Sequence, residues 1–119
     1  MKGGMGEMRK IAMILMDGFE DEDYLHPVRF LRDQGYRVIR VGLKAGQTVK
    51  GKQGRTRVMI DRAARSVFSR SFDALLIPRG YTFDSIRKAK DVIYLVEEFL
   101  ECRKPVWRAD PALLSGALS

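Results

Sequence analysis

The chain has 119 residues and a formal net charge of +7, a length typical of one domain with a modest hydrophobic core. Its hydrophobic fraction of 45% and charged fraction of 31% are ordinary for a globular protein, and no apolar run approaches the roughly 20 residues that span a bilayer. One cysteine excludes an internal disulfide, and one cysteine with one histidine argues against a zinc site made of protein ligands alone. We therefore expect a cytoplasmic protein without a metal, a cofactor or a membrane partner.

The first predicted strand is the segment around which the rest of the chain is arranged. It follows a leader, residues 1–9, that contains three glycines and that we expect to be flexible. The strand Lys10–Met16 is apolar at every position after its first, which is typical of a strand buried on both faces. It ends at Asp17-Gly18, and acidic residues follow at positions 20–23. Because functional groups of an open parallel sheet gather beyond the carboxyl ends of its strands, these acids are the first candidates for a site.

Three of these acids have a simpler explanation. Helical spacing predicts a helix over Asp23–Gln34, with Pro27 near the first turn, where its missing N–H costs little. Acids at a helix start complement its positive end and cap its free N–H groups, for roughly 0.3–1 kcal/mol each. We interpret the acids at 21–23 in this way and keep Glu20 as a separate candidate.

Strands and helices continue to alternate along the chain. The next predicted elements are a partly exposed strand at Tyr36–Leu43, a glycine- and lysine-rich loop or irregular edge excursion at Lys44–Arg57, an edge strand at Val58–Asp61 and a polar linker with one helical turn at Arg62–Ser71. They are followed by a strand at Asp73–Pro78, helices at Tyr81–Ala89 and Asp91–Cys102, a strand at Pro105–Trp107 and a helix at Pro111–Leu118. This order predicts an α/β fold: a three-layer α/β/α sandwich with a mostly parallel, flavodoxin-like sheet. We assign residues 10–119 to a single domain.

The positive charge is concentrated in one part of the chain. Between residues 37 and 72 the only acid is Asp61, whereas the basic residues are Arg37, Arg40, Lys44, Lys50, Lys52, Arg55, Arg57, Arg62, Arg65 and Arg70. Such a segment can attract nucleic acid or another anionic partner, but no aromatic residues alternate with the cations as they do in a surface that stacks single strands. A solvated basic face is the simpler interpretation, and binding of nucleic acid through residues 37–70 is the alternative.

Five segments form an ordered set that matches the motifs of one known family. They are Phe19-Glu20-Asp21, Thr48–Gly54 against "T-x-x-G-x-x-G", Phe72–Gly80 against "FDALVLPGG", Arg103–Val106 against "GKPV", and Pro111–Leu114 against "GPxLL". The chain thus resembles the ThiJ/PfpI superfamily, which includes intracellular-protease-like and deglycase-like proteins. The set extends from the first strand to the C-terminus.

The resemblance implies a particular kind of active site. Members carry a reactive cysteine on a sharp strand-to-helix turn, in a sequence like A-I-C-H-G-P, and a carboxyl group beyond the first strand hydrogen-bonds to it. Glu20 corresponds to that carboxyl. The family's P-G-G turn, which stabilises an oxyanion through backbone N–H groups, corresponds to Pro78-Arg79-Gly80, so Arg79 and Gly80 are candidate binding residues. Arg79 replaces a glycine there, and its side chain would crowd a carbonyl substrate.

The chain departs from the family at the reactive turn. Aligned without a gap from Pro105-Val106, Asp110 falls on the position of the nucleophile, and aligned from Pro111 backwards Arg108 falls there instead. Neither alignment supplies a cysteine, serine or threonine. Cys102 lies upstream at a helix end, and His26 lies in the first helix, away from the position expected for an assisting histidine. We therefore list Glu20 and Asp110 as candidate catalytic residues by position only.

The family's domains continue beyond the point that corresponds to Ser119. We therefore expect the domain to be incomplete at its C-terminus, with an open sheet edge that favours a homo-oligomer burying the region of Trp107. The leading functional hypothesis is a degenerate family member, a pseudoenzyme without thiol catalysis that serves as a binding or structural domain. The alternative is an active peptidase, deglycase or glyoxalase that uses Glu20, in which an Asp110 carboxyl could share a proton with it.

Overall fold

The computed structural model describes residues 9–81 and 83–108. In chain order it contains β1 (Lys10–Ile14), α1 (Asp21–Asp33), β2 (Arg37–Gly42), β3 (Thr48–Lys50), β4 (Arg57–Met59), β5 (Arg62–Ala63), β6 (Ala74–Ile77), α2 (Phe83–Lys88), α3 (Lys90–Glu101) and β7 (Val106–Arg108), with short 3₁₀ turns at Ala64–Ser66 and Ser69–Ser71. The helix predicted at Pro111–Leu118 and the candidate Asp110 lie outside the described residues.

The main sheet is parallel, and β1 lies at its centre. Its strand order is β5-β2-β1-β6-β7, and every neighbouring pair within it is parallel. Ile11 pairs with Val38 of β2 on one side and with Ala74 of β6 on the other. The predicted α/β class with a mostly parallel sheet is therefore confirmed.

The apolar run at β1 is buried on both faces of this sheet, as its sequence predicts. Residues 11–15 have no exposed surface, and their side chains alternate between two separate core clusters. The first cluster contains Ile11, Met13, Leu15, Phe19, Tyr24, Val28, Leu31, Val38, Val49, Val58, Ile60, Ala74 and Leu76. The second contains Ala12, Ile14, Met16, Val41, Ala64, Val67, Phe72, Leu75, Ala89, Val92, Leu95 and Phe99.

These two clusters define the three layers. Side chains of α1 and of the β3–β4 hairpin cover the first face of the sheet, whereas α3 and the 3₁₀ turns cover the second. Burying apolar side chains stabilises the fold by roughly 1.5–3 kcal/mol for each large residue removed from water. No helix in the described part of the chain is long and apolar enough to cross a membrane.

The basic segment after β2 differs from the prediction of a loop followed by an edge strand. Strands β3 and β4 pair antiparallel, with Val49 opposite Val58, and form a hairpin outside the main sheet. Both valines are buried while the residues on either side are exposed, which is the alternation expected of a ribbon with one face on the core. On the side of β2, the outer strand of the main sheet is instead the two-residue strand β5.

Helix α1 begins two residues before its predicted start. Its first residue is Asp21, and Glu20 is the residue that precedes the helix. Pro27 is therefore beyond the first turn, and because proline has no N–H, the carbonyl of Asp23 loses its helical hydrogen-bond donor. Of the apolar residues in this helix, Val28 and Leu31 are buried, whereas Leu25 and Phe30 are exposed. Helical spacing therefore predicted the helix but only part of its buried face, and it did not predict where the helix begins.

Candidate functional site

The order of the strands reverses at β1 and β6, and we call the space beyond their carboxyl ends the crevice. The chain runs from β1 outward to β2 on one side and later returns to build β6 and β7 on the other. In open α/β sheets, ligands bind at such a reversal, outside the carboxyl ends of the strands. The loop after β1 carries Glu20, and the loop after β6 carries Arg79 and Gly80. The structure therefore brings three of the four predicted site residues to one place.

The loop after β1 is held on one side by the hairpin. The N–H of Gly18 donates to the carbonyl of Lys50 (2.9 Å), and the N–H of Lys52 donates to the carbonyl of Phe19 (2.7 Å). The Asp17 carboxylate accepts a hydrogen bond from the N–H of Lys50 (2.9 Å). The hairpin thus fixes the backbone that leads to Glu20.

The loop after β6 holds the same segment from the other side. The N–H of Glu20 donates to the carbonyl of Arg79 (2.8 Å). Gly80 has a positive φ of 109°, and a Cβ atom there would lie 2.5 Å from the carbonyl oxygen of Gly18 and 2.8 Å from the nitrogen of Glu20. Only glycine meets both requirements, so position 80 is needed for the two loops to approach each other.

Tyr81 connects the second loop to the end of β1. Its hydroxyl donates to the carbonyl of Ile14 (2.8 Å) and accepts a hydrogen bond from the N–H of Met16 (3.0 Å). Burial raises the pKa of the Tyr81 hydroxyl well above its usual value, while the hydrogen bond from Met16 acts to lower it. The hydroxyl is therefore a neutral structural group at any ordinary pH.

Glu20 is accessible at the crevice. Its side chain keeps 34% of its surface exposed, and its Oε2 lies 4.0 Å from the Nζ of Lys52 on the hairpin. That distance is the upper limit for an ion pair, and both groups are exposed enough for solvent to weaken it. The carboxylate is therefore available to a ligand.

The side chain of Arg79 is paired with α1. Its Nε lies 2.8 Å from Oδ2 of Asp23, and its Nη2 lies 3.0 Å from Oδ1, which is the two-pronged geometry that arginine favours with a carboxylate. The backbone N–H of Arg79 also donates to Oδ2 of Asp23 (2.9 Å). One N–H of the turn that would face an oxyanion in the family is therefore already bonded to a carboxylate.

Asp21 fastens the tip of the hairpin. Its carboxylate is fully buried and accepts hydrogen bonds from the N–H groups of Gln53 (2.7 Å) and Arg55 (3.1 Å). Burial acts to raise the pKa of Asp21, but the hydrogen bonds from these N–H groups outweigh it, so the pKa lies below its usual value. A Cβ atom at position 51 would collide with this carboxylate, so Gly51 makes room for it.

Glu22 has partners of its own on the exposed side of α1. Its carboxylate contacts Nε2 of His26 and Nη2 of Arg55, each at 2.5 Å. The hydrogen bond from Arg55 is the main reason that the pKa of Glu22 is lowered. His26 is thus occupied on the helix surface. The three acids do lie in the first turn of α1, as predicted. That position is not a sufficient explanation for Asp21 and Asp23, because their carboxylates also hold segments distant in the sequence.

The remaining candidates lie elsewhere. Cys102 follows the last residue of α3, where its Sγ accepts a hydrogen bond from the hydroxyl of Ser69 (3.3 Å). Ser69 precedes β6, so this cysteine lies at the amino ends of the strands, opposite Glu20. Arg108 is the last residue of β7 and pairs with Ile77, so its backbone is in a strand and not in a turn. Within the described ranges, no group of three histidine, cysteine or acidic side chains is placed to hold a metal ion.

Sequence reasoning missed the residues that build the site's frame. The two loops are held in place by the side chains of Asp21, Asp23 and Tyr81. Acids at a helix start and a tyrosine after a turn are common in proteins, so nothing in the sequence singled out these three residues. Gly51 could have been found, because it is a fixed glycine of the "T-x-x-G-x-x-G" motif and a fixed glycine signals close approach of another group.

Two relatives with curated descriptions are similar over most of the chain. Protein/nucleic acid deglycase 2 of Escherichia coli (strain K12) is 37% identical over 111 residues, which is 92% of this chain and 64% of that protein. General stress protein 18 of Bacillus subtilis (strain 168) is 36% identical over 111 residues, with the same shares of 92% and 64%. The chain therefore spans less than two thirds of the length of these relatives.

A solved structure and a family profile agree with these relatives. The two-domain protein of Anabaena variabilis that contains DJ-1/ThiJ/PfpI-like and ferritin-like domains is 28% identical and superposes with a TM-score of 0.80, over 84% of this chain and 29% of that one. Residues 9–108 match the profile of the DJ-1/PfpI family. With the parallel sheet and the crevice at the ends of β1 and β6, this match establishes that the chain belongs to the DJ-1/PfpI family.

Proposed function

We propose that this chain is a DJ-1/PfpI-family domain that does not carry out thiol catalysis and that acts as a binding or structural domain in the cytoplasm. The observation that carries this proposal is the position of Cys102. It is the single cysteine of the sequence, and it bonds to Ser69 at the end of the sheet opposite Glu20. A thiolate nucleophile must lie within hydrogen-bond reach of the group that activates it, and this thiol does not.

The turn after β6 supports the same proposal. An oxyanion hole requires backbone N–H groups that are free to meet the developing charge. Here the N–H of Arg79 donates to the buried carboxylate of Asp23, which already supplies a negative charge at that point. A substrate oxyanion would have to displace this bond.

Activity assays with matched variants test the proposal. We expect the wild-type chain to consume methylglyoxal, deglycate a glycated peptide and cleave a peptide no faster than buffer, while purified E. coli deglycase 2 serves as the positive control. Glu20→Gln and Cys102→Ser should leave these background rates unchanged. Turnover by the wild-type chain that Cys102→Ser abolishes would show that the thiol is catalytic and would overturn the proposal.

An active deglycase that uses carboxylates is the second candidate. The exposed Glu20 carboxylate at the crevice supports it, as does the similarity to a relative named as a deglycase. In this case the wild-type chain would act on glycated substrates, Glu20→Gln and Asp110→Asn would each abolish activity, and Cys102→Ser would keep it. If Glu20→Gln retains full turnover, the carboxylate mechanism is excluded.

A further inference from the structure

A second cavity lies at the amino ends of the strands, at the end of the sheet opposite Glu20. It has a volume of about 220 Å³. Its lining residues are Lys10, Arg37, Ile39, Arg62, Ser66, Val67, Phe68, Ser71 and Phe72. The sheet forms one wall, and the segment with the two 3₁₀ turns, 64–72, forms the other.

The register of the sheet explains why three cations meet here. Lys10 and Arg37 are paired first residues of β1 and β2, and Arg62 of β5 pairs with Val41 of β2. Paired residues on neighbouring strands point to the same face. Because side chains two residues apart on a strand point to the same face, Lys10 lies on the same face as the buried Ala12, and Arg37 lies on the same face as the buried Val41. All three cations therefore lie on the second face of the sheet.

The nearby acids do not neutralise these cations. Among the residues that the structure describes, the side chains of Lys10, Arg37 and Arg62 make no ion pair. Asp61, next to Arg62, is held by Arg40 through Nε (3.0 Å) and Nη2 (3.1 Å). Asp73 accepts the backbone N–H of Lys10 (2.8 Å) but forms no ion pair with the ammonium group of that lysine. The lining of the cavity therefore carries a net positive charge from three cations that are not ion-paired.

The opposite wall adds polar and aromatic groups. Ser66 and Ser71 supply hydroxyls that can donate to an oxygen ligand. Phe68 is 53% exposed, although a phenylalanine normally lies in a core, and the guanidinium of Arg70 lies 5.3 Å from its ring centre. An exposed ring beside cations offers a flat ligand a surface on which to stack.

We propose that this cavity is a binding site for a nucleoside diphosphate or a similar small phosphorylated ligand with a flat ring. The diphosphate lies among Lys10, Arg37 and Arg62, with hydrogen bonds from the serines. Arginine suits this role because its planar group bonds two phosphate oxygens at once. The base stacks on Phe68 at the rim. This site is independent of the crevice at Glu20 and of whether that crevice is catalytic.

Calorimetric titration of the whole chain tests the site, with pyrophosphate and ADP as separate probes. We expect saturable binding of both, about tenfold weaker in Arg37→Gln and in Arg62→Gln, because each removes a charge-assisted contact. Arg57→Gln is the matched control, since this exposed arginine of β4 changes the net charge equally but does not line the cavity. Phe68→Ala should weaken ADP and leave pyrophosphate unchanged. Thermal unfolding of each variant verifies that it is folded.

Other outcomes overturn the proposal. If Arg57→Gln weakens the binding of ADP as much as Arg37→Gln does, the binding depends only on the net charge of the protein. No saturable binding of either probe at low salt would exclude the site. Binding of a single-stranded oligonucleotide without binding of ADP would assign the cations to nucleic acid instead, with an affinity that falls steeply with salt.

Discussion

Asp21 shows how one buried side chain can fix a loop that lies 30 residues away in the sequence. Its carboxylate fills the space left by the missing side chain of Gly51 and bonds the N–H groups of Gln53 and Arg55. A carboxylate that accepts several N–H bonds in a buried place is stabilised in its charged form. The helix start and the hairpin tip are therefore one structural unit.

Gly51→Ala is expected to destabilise the protein by about 1–3 kcal/mol, the usual cost of forcing extra atoms into a packed site. The new methyl group would collide with the Asp21 carboxylate. Urea unfolding followed by circular dichroism measures this cost. In an Asp21→Ala background the same substitution should cost much less, because the colliding group is gone. Equal costs in the two backgrounds would contradict the proposed contact.

Arg103 has a left-handed backbone conformation that glycine would adopt at a lower free-energy cost. Its φ is +58°, and the N–H of Lys104 donates to the carbonyl of Phe99 (2.9 Å), the pattern with which many helices end. The left-handed conformation costs a residue with a side chain roughly 1–2 kcal/mol. The "GKPV" motif that this segment resembles has glycine at the same position.

Arg103→Gly should therefore stabilise the protein by about 1 kcal/mol, after allowance for the greater freedom of glycine in the unfolded chain. Thermal and urea unfolding measure the gain. Arg103→Ala is the matched control, because it removes the charged side chain but keeps the Cβ atom, and it should give no such gain. A similar increase for alanine would attribute the effect to charge.

At the scale of elements, the β3–β4 hairpin depends on carboxylates of α1 for its attachment. The pKa values of Asp21 and Glu22 are both lowered in the folded protein. Each ionised carboxylate therefore stabilises the fold at pH values above the pKa that it has in the unfolded chain, which is about 3.8 for Asp21. This stabilisation is lost as the pH falls through the lower pKa of the folded state. The hairpin should detach in acid before the central sheet unfolds.

Hydrogen exchange at residues 48–59 tests this pH dependence. Between pH 5 and pH 3 the opening free energy of hairpin amides should fall, while that of β1 amides changes less. Asp21→Asn cannot ionise, so its hairpin should be less protected at pH 5 and less sensitive to pH. An unchanged pH response in this variant would contradict the role given to the carboxylate.

At the scale of the whole molecule, β7 is the outer strand of the described sheet on one side and pairs there with β6. Trp107 of β7 is only partly buried against the first core cluster. An outer strand with an aromatic residue invites pairing with another chain. We predict a homo-oligomer at micromolar concentration, which sedimentation velocity measures, and Trp107→Lys should shift it towards monomer. A wild-type chain that sediments as a monomer would contradict this prediction.

Much of the fold was predictable because the relevant signals are local. The apolar run at 11–16 predicted a strand buried on both sides, and the alternation of such runs with helices predicted a parallel sheet. The hairpin was missed because its strands are three residues long, and because Lys50, Gly51 and Lys52 directly after Val49 weaken the pattern. Val49 and Val58 can be recognised as the buried positions of a hairpin only once the core against which they pack is known.

The sequence by itself determined the fold class, the position of Glu20 after the central strand and the lack of a cysteine at the positions aligned with the reactive turn. Only the tertiary structure decided that Arg79 is paired with Asp23, that Cys102 lies opposite Glu20, and that Lys10, Arg37 and Arg62 share one cavity. The reason is physical: periodicity reports which face of an element is buried, whereas partners distant in the chain are chosen by strand order and register.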